Sequence, residues 1–199
     1  MRLATRADKE TVVNILKLAF NEYRQTHWAL KAEENPKRLE YLFRYTFDEN
    51  IEIGKIYLNA ENSAVAIWNT NKKSPFNFRL LIAKLKLIFR MGLPVIFRLI
   101  ELERLLYLKF PKKSDYDHLH MLGVIPTEQG KGHAKQLLLP ILDKMATEGR
   151  PVYLETGAKK NVNIYNKLGF SVIHIQKYGD YDLHIMRKAP TQVPAELTK

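Results

Sequence analysis

The 199 residues carry 32 Lys or Arg against 21 Asp or Glu, a formal charge of +11, with 46% apolar residues and no cysteine. That apolar content suits one globular domain with its own core, and the lack of cysteine excludes disulfides, thiolate metal sites and a covalent acyl-cysteine route. The opening residues Met1 to Asp8 run into polar sequence without the apolar stretch of a secretory leader, so a cytoplasmic location is the expectation.

Residues 2–6 read as a short strand, after which Asp8 caps a helix whose Val12, Ile15, Leu16, Leu18 and Ala19 recur at helical spacing. A second helix is predicted over 36–47, where Leu39, Leu42 and Phe43 share a face. Residues 51–58 and 64–70 read as the two strands of a hairpin around the polar stretch 59–63. The segment 72–113 holds eleven Lys or Arg but only Glu101 and Glu103 as acids. Within it, 76–110 is apolar and basic together and is broken at Gly92-Leu93-Pro94, which predicts two helices. Arg79, Lys84, Lys86, Arg90 and Arg98 interrupt this run too often for the roughly 18 uncharged apolar residues of a membrane-spanning helix.

The charge of this basic insert suits a solvated face, an anionic membrane surface, a phosphate-bearing ligand or nucleic acid, and does not choose among them. No recognition-helix or aromatic ribonucleoprotein pattern accompanies the cations, so nucleic acid is not the expected partner. From Asp115 the pattern becomes regular, with a strand over 118–124, a helix over 131–147, a strand over 151–156 and a helix over 159–168. Two closing strands, 170–177 and 181–187, are predicted antiparallel across Tyr178-Gly179-Asp180. The sum is an α/β (mixed α+β) domain over 1–189, a central mixed sheet with helices on both faces, followed by a loose tail at 190–199.

The strand ending at Val124 leads through Pro126 into Gln129-Gly130-Lys131-Gly132-His133-Ala134 and directly into a helix. Glycines let backbone approach an anion closely, and the first N–H groups of a helix have no internal acceptor, so this is anion-site geometry to which Lys131 adds a charge. The letters do not make a P-loop, because no glycine stands at 125 and Gly132 rather than Ser or Thr follows Lys131. They do not make a dinucleotide fingerprint either, since Lys135 occupies the third glycine's place.

The segment does resemble the central motif of the GCN5-related N-acetyltransferase (GNAT) superfamily, with Gln129, Gly132 and Ala134 in the motif's places. A second block is similar in order and spacing: Leu154-Glu155-Thr156, then Asn161-Val162-Asn163-Ile164-Tyr165 and Leu168-Gly169-Phe170. Within the superfamily these blocks most resemble small-molecule N-acetyltransferases, including the puromycin-acetylating kind. The resemblance implies acetyl transfer from acetyl-CoA (coenzyme A) to a primary amine of a small molecule, by direct attack in a ternary complex. It places the cofactor pyrophosphate on Gln129, Gly130, Lys131, Gly132, His133 and Ala134. It lays the pantetheine arm along the backbone of Leu122, Gly123 and Val124, one of whose N–H groups polarises the thioester carbonyl, and sets Asn161 against that arm.

Tyr165 is implied as the general acid that protonates the departing sulfur, whereas on residues alone it is a core tyrosine beside Ile164 and Leu168. The base is His120 or Glu155, each on a strand bordering the implied cleft, with Glu155 also able to orient the amine. His118 and His120, two apart on a strand, point to one face, so either is also a packing residue. With no cysteine and no second carboxylate motif beside them, no metal is expected. His133 stands where the family carries an apolar or small residue. A protein or peptide acceptor, or a non-catalytic module whose basic insert grips nucleic acid or anionic membrane, are the alternative readings. The insert's apolar residues would close the active site or form a homodimer interface.

Overall fold

A computed structural model describes residues 1–70, 77–107, 109–111 and 115–190. The expected tail beyond Pro190, and parts of the insert at 72–76, 108 and 112–113, lie outside the described residues. The chain runs β1 (Arg2–Leu3), α1 (Lys9–Phe20), α2 (Arg24–Leu30), α3 (Lys37–Ile53), β2 (Lys55–Leu58), β3 (Ala64–Thr70), α4 (Phe78–Met91) and α5 (Leu93–Tyr107). It continues through β4 (Asp117–Val124), α6 (His133–Thr147), β5 (Val152–Thr156), α7 (Lys159–Lys167), β6 (Ser171–Tyr178) and β7 (Tyr181–Lys188). Among the described residues, no helix is long and apolar enough to cross a membrane.

The strands form one seven-stranded sheet in the order β1-β2-β3-β4-β5-β7-β6. Only β4 and β5 run parallel; the other neighbours pair antiparallel. Side-chain alternation along the strands feeds two cores, one on each face. On one face Val12, Ile15 and Leu16 of α1 and Phe43 and Phe47 of α3 cover Ile56, Leu58, Val65 and Ile67. On the other, Leu137, Leu138, Ile141 and Leu142 of α6, with Tyr165 of α7, cover Ala64, Ala66, Trp68, Leu119 and Leu154.

Three elements differ from the expectation, the first being the opening strand, which spans only Arg2–Leu3 before a 3-10 turn at Arg6–Asp8. Residues 51–53, expected as strand, complete α3, because Phe43, Phe47 and Asn50 extend one buried helical stripe and Gly54 ends it by donating its N–H to the Asn50 carbonyl at 3.1 Å. The short helix α2 was not expected at all. It carries little periodicity of its own and is held by tertiary contacts, chiefly those of Trp28.

Trp28 meets Tyr178 edge-on at 5.0 Å and Tyr181 at 5.8 Å, and the Arg98 guanidinium lies over its ring at 3.9 Å. The Tyr178 hydroxyl donates to the Arg98 carbonyl at 2.7 Å. This aromatic seat ties α2, α5 and the β6–β7 turn together. Gly179 in that turn has φ +57° and an ideal Cβ there would lie 2.2 Å from the Trp28 ring. Gly179→Ala should therefore cost about 2–4 kcal/mol, from the left-handed backbone and the displaced indole together. The check is a lower urea midpoint at unchanged m-value.

Candidate active site

β5 pairs with β4 only over Asp117–Leu119, against Val152–Leu154. Beyond Leu119, β4 keeps its β3 partner as far as Val124, while β5 stays with β7 through Glu155 and Thr156. The two parallel strands thus separate into a V whose inner edge on β4 is His120 to Val124, with no described strand covering it. Backbone amides along such an edge are free to bond an extended ligand as an added strand would. Leu122 and Val124 alternate onto the α6 face, while Gly123 packs against Leu16 and Ala19 of α1.

A bulge helps to open the V. Met121 pairs with Ile67 and Leu119 with Trp68, leaving His120 without a partner on β3. The extra residue shifts the alternation, so Leu119 and Met121 contribute to opposite cores. Sequence alone gave no sign of this register shift. His118 and His120 nevertheless remain neighbours, with ring centroids 5.7 Å apart.

At the open end of the V, Gly130 and Gly132 take φ +83° and +89°, and an ideal Cβ on either meets no atom within 4 Å. Gly132 caps α6, and the first intrahelical bond runs from the Gln136 N–H to its carbonyl at 3.1 Å. The amides of residues 132 to 135 therefore precede the helical ladder and present the positive end of the helix to an open cradle. A pyrophosphate fits that donor set, which would hold it through backbone of Gly132, His133 and Ala134 with Gly130 alongside.

Three side chains of the loop are committed elsewhere. Gln129 donates to the Val124 carbonyl at 3.2 Å, closing the end of β4. Lys131 bonds Glu128 at 2.7 Å, so its charge is offset locally rather than aimed free into the cradle. The His133 ring is buried, with Nδ1 3.1 Å from Asn59 Nδ2 and Nε2 3.3 Å from Glu128 Oε2. A neutral ring protonated on Nε2 satisfies both contacts. Asn59 in turn accepts the N–H groups of Ser63 and Ala64 through its Oδ1, at 2.9 Å each. His133 thus ties the loop to the β2–β3 hairpin.

Three titratable groups gather where the strands part. His118 Nε2 lies 2.6 Å from Glu155 Oε2, both largely shielded from solvent. Burial pushes the Glu155 carboxyl up, but the charge and hydrogen bond of His118, aided by His120, more than offset it and hold Glu155 below its ordinary value. Burial, then His118, pulls His120 down to about 4, with Glu155 opposing. At neutral pH His120 is a neutral imidazole beside an ionised carboxylate.

The depressed His120 has a stability consequence. An unfolded histidine takes up its proton near pH 6.5 and the folded one only near 4. Protons therefore favour the unfolded chain as pH falls through that window. Glu155, also depressed, adds to the loss only further down, below the unfolded carboxylate value. From about pH 7 to about pH 5 the His120 contribution should remove about 1–2 kcal/mol. His120→Gln should flatten that part of the slope, read as urea midpoints at the two pH values.

Tyr165 is buried on the α6 side of the sheet, with Phe170 5.7 Å away, and its hydroxyl bonds no described residue. Burial first, then the nearby Tyr23 and Glu155, raises its pKa above the ordinary phenol value. The group is a neutral donor at any physiological pH.

Next to it lies a network that sequence reasoning missed. The Asn161 amide donates to the Tyr23 hydroxyl at 2.9 Å, and that hydroxyl sits 3.1 Å from Thr156 Oγ1. Gln25 also donates to the Gly157 carbonyl at 3.0 Å. The start of α2 is thus pinned across the end of β5. Tyr23 is 138 positions from Asn161, and no short-range pattern joins them. Asn161, expected against the cofactor arm, thus has its amide nitrogen bonded to Tyr23. Among the described residues, no cluster of three or more His, Asp or Glu is placed to hold a metal ion.

In this mixed α/β domain the parallel pair splays at a bulge and opens onto a glycine-bracketed helix start. The family model described as the acetyltransferase (GNAT) family matches residues 101–170. An uncharacterised N-acetyltransferase of Schizosaccharomyces pombe is 42% identical over 53 residues, which are 27% of this chain and 22% of that protein. The chain thus spans about a fifth of the curated relative it matches. Among solved structures, the histone acetyltransferase HPA2 and related acetyltransferase of Corynebacterium glutamicum is similar at TM-score 0.65, with 19% identity over 96% of this chain and 95% of that one. Arylalkylamine N-acetyltransferase 2 of Aedes aegypti is similar at TM-score 0.61, with 12% identity over 96% of this chain and 98% of its own. At those identities the two structures share the fold with this chain.

Proposed function

We propose that the protein transfers the acetyl group of acetyl-CoA to a primary amine of a small molecule, by direct attack in a ternary complex. One observation carries this reading: β4 and β5 part beside the glycine-bracketed start of α6, with the buried His118–Glu155 pair at the parting. Bound there, acetyl-CoA would supply an activated thioester carbonyl.

The chain's own residues then have distinct tasks. Amides of the cradle hold the pyrophosphate, and an amide on the edge from Leu122 to Val124 hydrogen-bonds the carbonyl oxygen, most strongly as negative charge develops on it. Glu155, ionised and fixed by His118, attracts the acceptor ammonium. His120, neutral, orients the water through which the amine's surplus proton leaves to solvent. The amine nitrogen forms the new C–N bond as the C–S bond breaks. Tyr165 stays protonated until charge builds on the sulfur, then donates to it, and the second proton lost by the new amide nitrogen restores the phenol.

The acceptor class is supported by the aromatic seat. Trp28 of α2 packs with Tyr178, Tyr181 and Arg98, and in this reading the seat walls the acceptor side of the cleft. Such a wall favours an aromatic or anionic small molecule, and the +11 charge disfavours a lysine-rich peptide. Thiol release should be measured with acetyl-CoA and a panel of aromatic primary amines and lysine-rich peptides. A kcat/KM about tenfold higher for an aromatic amine is expected. Preference for peptides would remove the small-molecule reading, and thiol release with none of the amines would remove the transferase reading.

A further inference from the structure

The basic insert carries a feature that acetyl transfer does not use. In α4, Phe78, Ile82, Leu85 and Phe89 stand at the i, i+4, i+7, i+11 spacing of one helix face, yet all four are exposed, Phe89 to 91% and Phe78 to 65%. Opposite them, Leu87 and Met91 pack inward on the first core. In α5 the same spacing recurs at Leu93, Phe97 and Ile100, again exposed, with Phe97 at 66%, while Val95, Ile96 and Leu99 face the core. Each helix is therefore apolar on two sides, and the outer side has no partner among the described residues.

Cations border this outward face. On a helical projection of α4, Arg79, Lys86 and Arg90 fall along one margin of the exposed stripe and Lys84 beyond the other. A cleft of about 250 Å³ between α3 and α4 lies at that margin, lined by Arg6, Arg79, Lys86, Ile82, Asp48 and Glu52. Its two acids are already matched, Asp48 by Lys9 at 2.6 Å and Glu52 by Arg6. Arg79 and Lys86 make no salt bridge with a described residue, so the cleft holds surplus positive charge beside exposed hydrocarbon.

We infer that the outer face of α4 and α5 is a docking surface for an anionic phospholipid bilayer, with the aromatic and aliphatic stripe entering the acyl boundary and Arg79 and Lys86 receiving headgroup phosphates. Charge complementarity selects this occupant. A second copy placed face to face would bring together two segments that each hold eleven cations and only two acids. Nucleic acid would match the charge but leave the phenylalanines without an apolar partner. A bilayer surface with anionic headgroups supplies both.

The test is flotation of the full chain with vesicles of phosphatidylcholine alone and of phosphatidylcholine containing phosphatidylserine, at low and high salt, alongside sedimentation of the protein by itself. Binding to the anionic vesicles is expected, weakened by salt and weak on phosphatidylcholine alone. Phe89→Asp with Phe97→Asp should lower it about tenfold or more, and Arg79→Glu with Lys86→Glu about tenfold. Should the paired Asp variant fail to fold, Phe89→Gln at the most exposed position replaces it. No flotation with anionic vesicles overturns the inference, and so does equal binding to both vesicle types. A dimer in sedimentation that Phe89→Asp with Phe97→Asp dissociates would assign the face to a second copy and also overturn it. Acetyl-CoA binding is untouched in every one of these outcomes.

Discussion

Tyr165→Phe is expected to lower kcat about a hundredfold, the lower end of what a positioned general acid contributes, while the affinity for acetyl-CoA stays within about twofold. The substitution removes one oxygen and leaves the ring that packs on Phe170. Because the hydroxyl bonds no described residue, its loss strands no buried partner and the fold should be unaffected. The raised pKa means that the oxygen acts only once negative charge appears beside it, which is late in the reaction. An interaction made only at that stage lowers kcat and kcat/KM equally. Unchanged turnover in pre-steady-state thiol release would return Tyr165 to the role of a core tyrosine.

The second large effect is expected at Gly132. Replacing it by Trp should weaken acetyl-CoA binding about a hundredfold or more with the protein still folded. A Cβ there meets no atom within 4 Å, so the free protein accepts the side chain at the cost of the left-handed φ, about 1–3 kcal/mol. On the proposed reading that open volume takes the pyrophosphate, and the indole would fill it. Calorimetric affinity together with a thermal melt separates the two effects. A folded variant that binds acetyl-CoA normally would move the phosphate site away from the start of α6.

These two residues also mark what was readable in the sequence. The run from strand through Gly130 and Gly132 into a helix is local, and its conformation follows from adjacent letters. The order of β4, α6, β5, α7 and the closing hairpin was readable for the same reason, since each element carries its own period and its own turn residues. The break of the insert at Gly92 belongs in this group.

What escaped was set by distant contacts. The helix α2 exists because Trp28 finds Tyr178, Tyr181 and Arg98, residues far along the chain. The Tyr23–Asn161–Thr156 network joins segments more than 130 positions apart. The pairing of His118 with Glu155 depends on the parallel register of β4 and β5, and the bulge at His120 on the register with β3. Periodicity sees neither. The outward stripes on α4 and α5 are the converse case: their spacing was legible as helical, but only packing revealed that a second apolar side had been left uncovered.

Titration of the purified protein with acetyl-CoA by calorimetry, with CoA and desulfo-CoA as controls, tests the central claim most directly. Saturable one-to-one binding of all three is predicted, because the cradle grips the pyrophosphate they share and the sulfur contributes little to affinity. Absence of binding by any of them would contradict the assignment of the β4–β5 cleft as an acetyl-CoA site.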